Sequence, residues 1–127
     1  MHARARARFC TVLAGLALPA CAARAAPVDG PAMLALARSS GCLACHALHH
    51  TKVAPSYAAI AARMQGRPDA VRTLQQAILN GHSGTWGIIP MPSYGGAQGV
   101  LTEAQARDLA RWVLSQAPGP QDPGHAP

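Results

Sequence analysis

The sequence predicts an all-α domain of about four short helices, and three observations carry that prediction. Apolar residues recur three and four apart in four separate stretches, no stretch alternates apolar and polar residues as a strand does, and capping residues or glycines bound the periodic stretches. The first helix opens at Asp29, a capping residue, with Pro31 in its first turn; Met33, Leu34, Leu36 and Ala37 are its apolar positions, and Ser39-Ser40-Gly41 ends it. A second helix covers Tyr57 to Gln65, with Ile60 and Met64 on one face and Gly66 as its stop. The third runs from about Pro68 to Leu79, with Val71, Leu74, Ile78 and Leu79 at helical spacing and Asn80-Gly81 as its end. Thr102 and Gln105 form a capping box for the fourth, on which Leu109, Trp112 and Val113 make an apolar stripe ending near Gln116.

The chain divides into three parts. Residues 1–25 read as a secretory signal peptide: Arg4, Arg6 and Arg8, then an apolar run from Phe9 to Leu18, then Ala23-Arg24-Ala25. Cleavage after Ala25 is the simplest reading. Leu18-Pro19-Ala20-Cys21 competes with it as a lipoprotein box, which would leave a lipid on Cys21 and anchor the protein to the membrane. An uncleaved anchor ranks last, because the apolar run is short for a bilayer. Residues 26–117 form one domain, and 118–127, rich in proline and glycine, a disordered tail. Four of the eleven basic residues and none of the five acidic ones lie in 1–25, so the formal charge falls from +6 to +2 on cleavage. So small a charge gives no basis for nucleic-acid binding.

Cys42-Leu43-Ala44-Cys45-His46 is the stretch that points to chemistry. Two thiols three apart, followed at once by an imidazole, make the attachment site of a c-type haem. Each sulfur can add across a haem vinyl group, and a neutral imidazole nitrogen of His46 can ligate the iron from the proximal side. A structural zinc site would need about four ligands, and no second cysteine pair follows. Cys10 and Cys21 leave with the signal, so Cys42 and Cys45 are the only cysteines of the mature chain. One covalent haem c would supply much of the core of so small a domain.

The segment from Gly81 to Pro92 is the second informative stretch. Its glycines let an irregular loop pass close to a flat ligand, and Pro90 and Pro92 hold Met91 extended between them. Met33 and Met64, at helical spacing, read as core fillers, whereas Met91 in its bracket reads as the distal iron ligand. His82 in the same loop is its rival and would make a bis-histidine haem of lower potential; His49 and His50 follow His46 too closely to cross to the other face.

These residues resemble the small bacterial class I cytochromes c, specifically the c-551/c-552 type electron carriers. The resemblance runs from Gly41-Cys42-Leu43-Ala44-Cys45-His46-Ala47 through Asn80-Gly81, Trp86-Gly87 and Pro90-Met91-Pro92 to Leu109-Ala110-Arg111-Trp112-Val113-Leu114-Ser115-Gln116. It implies the class I fold around one haem, Met91 as axial sulfur, Pro55 as the carbonyl that holds the His46 ring, and Trp86 reaching a haem propionate. Ala54 stands where a glycine usually precedes the proline, Ile88 where a proline is common, and Ser93-Tyr94 where Pro-Asn is typical; the Gly95-Gly96 linker is longer than usual.

The expectation is a periplasmic one-electron carrier, not an enzyme. Two strong ligands leave iron no open position for substrate, and Met ligation favours the ferrous state. Docking would use a small apolar patch from Leu43, Val53, Ala54 and Ile88 or Ile89, with Lys52, the lone lysine, either guiding a partner or simply solvated. The resemblance implies respiratory complexes or other cytochromes as donors and a terminal oxidase or nitrite reductase as acceptor, to a monomer that meets the membrane only if Cys21 is lipidated. An accessory subunit of a periplasmic oxidoreductase, or a haem protein with displaceable Met91 and peroxidase or gas-binding activity, are the alternatives.

Overall fold

The structure is a computed structural model describing residues 27–97 and 99–116. The signal segment, the choice between Ala25 and Cys21, and the Pro/Gly-rich tail lie outside the described residues. Four helices follow in order: α1 Gly30–Ser39, α2 Tyr57–Met64, α3 Ala70–Asn80 and α4 Glu103–Leu114, with one 3-10 turn, Cys42–Ala44, between the first two. Among the described residues there is no strand, only an isolated antiparallel bridge between His82 and Met91, and no helix is long and apolar enough to cross a membrane.

Each helix begins where the local chemistry favours it. The Asp29 carboxylate accepts from the Ala32 N–H at the start of α1. At the head of α2 the buried Ser56 hydroxyl accepts from the Ala59 N–H at 3.1 Å. The box at α4 is complete: the Gln105 N–H donates to the Thr102 hydroxyl at 3.2 Å, and the Thr102 N–H to the Gln105 side-chain oxygen at 2.9 Å.

α3 starts at Ala70, later than the expected Pro68. The Arg67 guanidinium donates to both oxygens of Asp69 at 3.1 Å and the Thr73 hydroxyl donates to one of them, so this carboxylate ties down the preceding turn instead of capping a backbone N–H. α2 stops at Met64, one residue short of expectation, because Gln65 is already extended, and α4 stops at Leu114. Beyond it the Ser115 hydroxyl and the Gln116 amide both donate to the Trp112 carbonyl.

α4 is the element against which α1, α2 and α3 all pack. Its buried Ala106, Leu109, Ala110, Trp112 and Val113 meet Ala37 of α1 and Tyr57, Ile60 and Met64 of α2, with Leu74 and Ile78 of α3 partly buried against them. Each large apolar side chain removed from water in this way contributes about 1.5–3 kcal/mol. Met64 is core, as its spacing predicts, and Met33 packs against it from α1. The helices leave two irregular segments, 40–56 and 81–101, and these hold every chemistry-bearing residue named above.

Candidate haem site

The first irregular segment is built almost wholly by short-range backbone bonds. Gly41 takes a left-handed φ of 82°, which turns the chain out of α1 and into the 3-10 turn. The Cys42 carbonyl then accepts from both the Cys45 N–H at 3.3 Å and the His46 N–H at 3.0 Å, so both thiols and the imidazole belong to one turn. Neither cysteine is in a disulfide, and both are half-buried. The Cys45 carbonyl accepts from the Val53 and Ala54 N–H groups, which folds the intervening loop back on itself. Free N–H groups at the head of α2 complete the clamp: Tyr57 donates to the Ala47 carbonyl and Ala58 to that of Leu48. Ala54, in the place of a usual glycine, fits without a positive φ.

His46 is buried, and its Nδ1 lies 2.7 Å from the Pro55 carbonyl oxygen. A carbonyl can only accept, so Nδ1 carries the proton and donates it, leaving the lone pair on Nε2. Burial pushes the imidazole pKa down, against a smaller upward pull from the Pro55 bond. The ring is therefore neutral, as metal ligation requires. It stacks on Tyr57 with centroids 5.3 Å apart and planes 23° apart, and Tyr57 meets Trp112 edge-on at 5.4 Å. The proximal ring is thus fixed through two aromatic contacts to α4. Burial raises the pKa of both Cys42 and Tyr57, and the two side chains share a hydrogen bond, so thiol and phenol are neutral.

The second segment presents Met91 by other means. His82 and Met91 exchange both backbone bonds, at 3.1 and 2.7 Å, closing the loop at its base. Gly81 makes this possible: its φ is 78°, and a Cβ there would lie 2.8 Å from the Met91 carbonyl oxygen. After Met91 the chain returns to α3, where the Tyr94 and Gly95 N–H groups satisfy the otherwise open carbonyls of Ile78 and Leu79. Trp86, half-buried, packs against the core, with the Arg63 guanidinium 4.8 Å from its ring centroid. Ile88 is 96% and Ile89 63% exposed; Val53, on the first segment, is 52% exposed.

Tyr94 links the two segments. Its phenol pKa is raised first by burial and then by the charge that Cys42 and Cys45 would carry as thiolates, and its side chain packs against the core edge that Cys42 also borders. His82 is exposed, and its Nε2 lies 2.6 Å from the Thr85 hydroxyl. His49 and His50 are exposed in their loop. Lys52 proves to be more than a solvated cation, because its ammonium donates to the Leu43 carbonyl inside the attachment turn at 2.8 Å.

These residues fit a haem better than any bare metal. Two uncommitted thiols share a turn with a neutral imidazole, while among the described residues no three His, Cys, Asp or Glu side chains cluster to hold an ion by themselves. A haem tethered by Cys42 and Cys45 would bring its iron to His46 already held in a macrocycle. A helical bundle built around such a turn defines a small c-type cytochrome.

Comparison with known proteins agrees. The family model for cytochrome c matches residues 34–117, and the chain belongs to that family and binds a single covalent haem c. It is 46% identical over 80 residues to cytochrome c-552 of Hydrogenobacter thermophilus, covering 63% of this chain and 76% of that one. It is 42% identical over 81 residues to cytochrome c-551 of Pseudomonas aeruginosa, covering 64% and 73%. The crystal structure of Nitrosomonas europaea cytochrome c552 superposes with a TM-score of 0.60 at 36% identity, over 65% of this chain and 98% of that one. The expected fold class, an all-α small class I cytochrome c, is thereby established, and so is membership among the small electron-carrying cytochromes.

Several residues that shape this site give no local signal in the sequence. Tyr57 shows there only as a helix start, and Ser56, Arg63 and Tyr94 have no assigned part. A serine directly before a helix is the one readable sign among them, since it is a favoured cap.

Proposed function

We propose that this protein carries single electrons through a haem held between His46 and Met91 and exchanged at an exposed, apolar edge. The observation that carries the reading is the 2.7 Å bond between His46 Nδ1 and the Pro55 carbonyl, which fixes the tautomer and leaves Nε2 unprotonated for a metal. Pro55 orients the proximal ligand, Cys42 and Cys45 hold the porphyrin, and Trp86 contacts a propionate. Bound haem supplies a one-electron couple whose potential methionine ligation raises. His82 leaves the distal place to Met91, because its imidazole is already engaged by Thr85 at the loop surface.

With both axial places taken, the protein acts as a carrier and not as a catalyst. Leu43, Val53, Ala54, Ile88 and Ile89 form the docking patch, in keeping with the exposure of Val53, Ile88 and Ile89. Contacts of that size are short-lived, as a shuttle needs. The carrier works as a monomer in the periplasm after loss of residues 1–25, as a domain of residues 26–117, between a cytochrome or respiratory donor and a terminal oxidase or nitrite reductase. It meets the membrane only where Cys21 carries a lipid.

Carbon monoxide added to the native ferrous protein tests the closed iron. The spectrum should stay unchanged; rapid binding of the gas, or peroxidase turnover, would mean an open or displaceable distal place. Ile89→Lys should slow transfer to the physiological partner and leave the spectrum intact. Unchanged transfer would remove the patch, and a stable complex co-purifying with the native protein would make it a subunit instead of a shuttle.

A further inference from the structure

The Met91 loop is fastened to the rest of the molecule at three places of different character. At its base, His82 and Met91 exchange backbone bonds, which link the loop only to itself. On its return, Tyr94 and Gly95 donate to the Ile78 and Leu79 carbonyls, which link it to α3, the helix it has just left. Near its middle, Trp86 lies under the Arg63 guanidinium at 4.8 Å, and Arg63 belongs to α2. That third contact spans 23 sequence positions and joins the loop to the helix whose head clamps the His46 segment.

Arg63 is the exposed member of this pair, and among the described residues it makes no ion pair. The face of the indole is a partner for this charge, because the ring quadrupole attracts a cation. Opening the loop carries Trp86 away from α2 and from the core edge it packs against, so the Arg63 contact is lost in a step that need not unfold the helices themselves. A contact present only in the closed loop shifts the equilibrium between closed and open loop by its own strength.

We propose that Arg63 is a positioning residue for the distal ligand: by stacking on Trp86 it latches the loop to α2 and holds the Met91 sulfur on the iron. This rests on the reading of Met91 as the axial ligand. The latch acts on the closed state of the loop, not on the stability of the fold. An exposed cation–π contact has a strength that corresponds to about a two- to fivefold change in the open-to-closed ratio. Lysine retains the charge and part of the effect; glutamine retains neither charge nor stack, although it suits a helix surface equally well.

The experiment follows the weak near-infrared band of the sulfur–iron bond in the oxidised holoprotein as it is warmed, alongside the far-ultraviolet helix signal. Arg63→Gln should raise the fraction lacking the band by about two- to fivefold at temperatures where the helix signal is still native. Arg63→Lys should recover much of the loss, and in a Trp86→Leu background Arg63→Gln should add nothing further. Loss of the band in Arg63→Gln at the wild-type temperature would overturn the latch and leave Met91 as ligand intact. So would an effect that follows the helix signal degree for degree, or a lysine variant no better than glutamine. Absence of the band from the wild type would remove the Met91 reading itself, and the latch with it.

Discussion

On the proposed ligation the two irregular segments hold opposite sides of one haem, and they are built in opposite ways. Residues 41–57 form a short, largely backbone-bonded knot: Cys42 and Cys45 carbonyls each accept twice, α2 clamps the chain after His46, and the ring is buried between the Pro55 carbonyl and Tyr57. Residues 81–92 form a wide loop whose middle is mostly exposed, closed by the His82–Met91 bridge and tied to the rest of the molecule through Trp86, which packs against the core and under Arg63 of α2. Tight local bonding makes His46 part of the folded core. Met91, the proposed distal ligand, depends instead on loop contacts whose opening is expected to leave the helices folded. On the proposed ligation a carrier benefits from this division, because the tether and His46 set where the haem sits while the loop sets how firmly the second place is closed.

The largest effect should come from breaking the proximal side. Replacing Cys42 and Cys45 together by alanine removes both thioether tethers, and the mature protein should then carry no covalent haem, as read by intact mass and by haem staining after denaturing electrophoresis. The core should be lost with the haem, since so small a chain needs the cofactor to bury its apolar faces. Retention of a covalent haem would place its attachment elsewhere.

Gly81→Ala should give the next largest effect, and on the distal side alone. A left-handed backbone costs an L-residue about 1–2 kcal/mol, and the new Cβ meets the Met91 carbonyl oxygen at 2.8 Å. The His82–Met91 bridge should part, with loss of the near-infrared band at room temperature and little change in helix content. If helix content falls equally, the two segments open as one unit and the contrast drawn above fails.

Ser56→Ala should act on the opposite side and in the opposite sense. Loss of the cap costs about 1 kcal/mol of global stability, measurable as a lower denaturant midpoint, with the near-infrared band unaffected until the whole protein unfolds. Lys52→Gln should have the smallest effect. Its bond to the Leu43 carbonyl is exposed, so water replaces it when it is lost, and chemical denaturation should show a shift no greater than that of Ser56→Ala. A larger loss would make the proximal knot dependent on one exposed side chain.

How much of this was legible in the sequence follows the same division. The attachment turn is contiguous, so Cys42, Cys45 and His46 announce haem attachment by spacing alone, while Pro90-Met91-Pro92 singles out Met91 by its rigid bracket as the ligand that we propose. Helices show through their periodicity and caps, with Asp29 and the Thr102–Gln105 box doing in the structure what their positions predict. The start of α3 was less legible because Asp69, a capping residue by type, bonds to Arg67 and Thr73 instead. Least legible were the pairs that join distant segments. Nothing near Arg63 in the chain marks it as a partner of Trp86, nothing near Tyr57 marks it as the ring that stacks on His46, and Lys52 reads as a free surface cation until the Leu43 carbonyl is seen beneath it. Such contacts come from how α2 and the loops pack, which periodicity does not encode.

The central claim is that iron lies between His46 and Met91, with the sulfur supplied by the softer of the two segments. The near-infrared spectrum of the oxidised holoprotein tests it most directly. A weak sulfur–iron band in the wild type that survives His82→Ala and vanishes in Met91→Ala, with covalent haem retained in all three proteins, is the predicted result. A wild type without the band, or a Met91→Ala protein that keeps it, would contradict the claim.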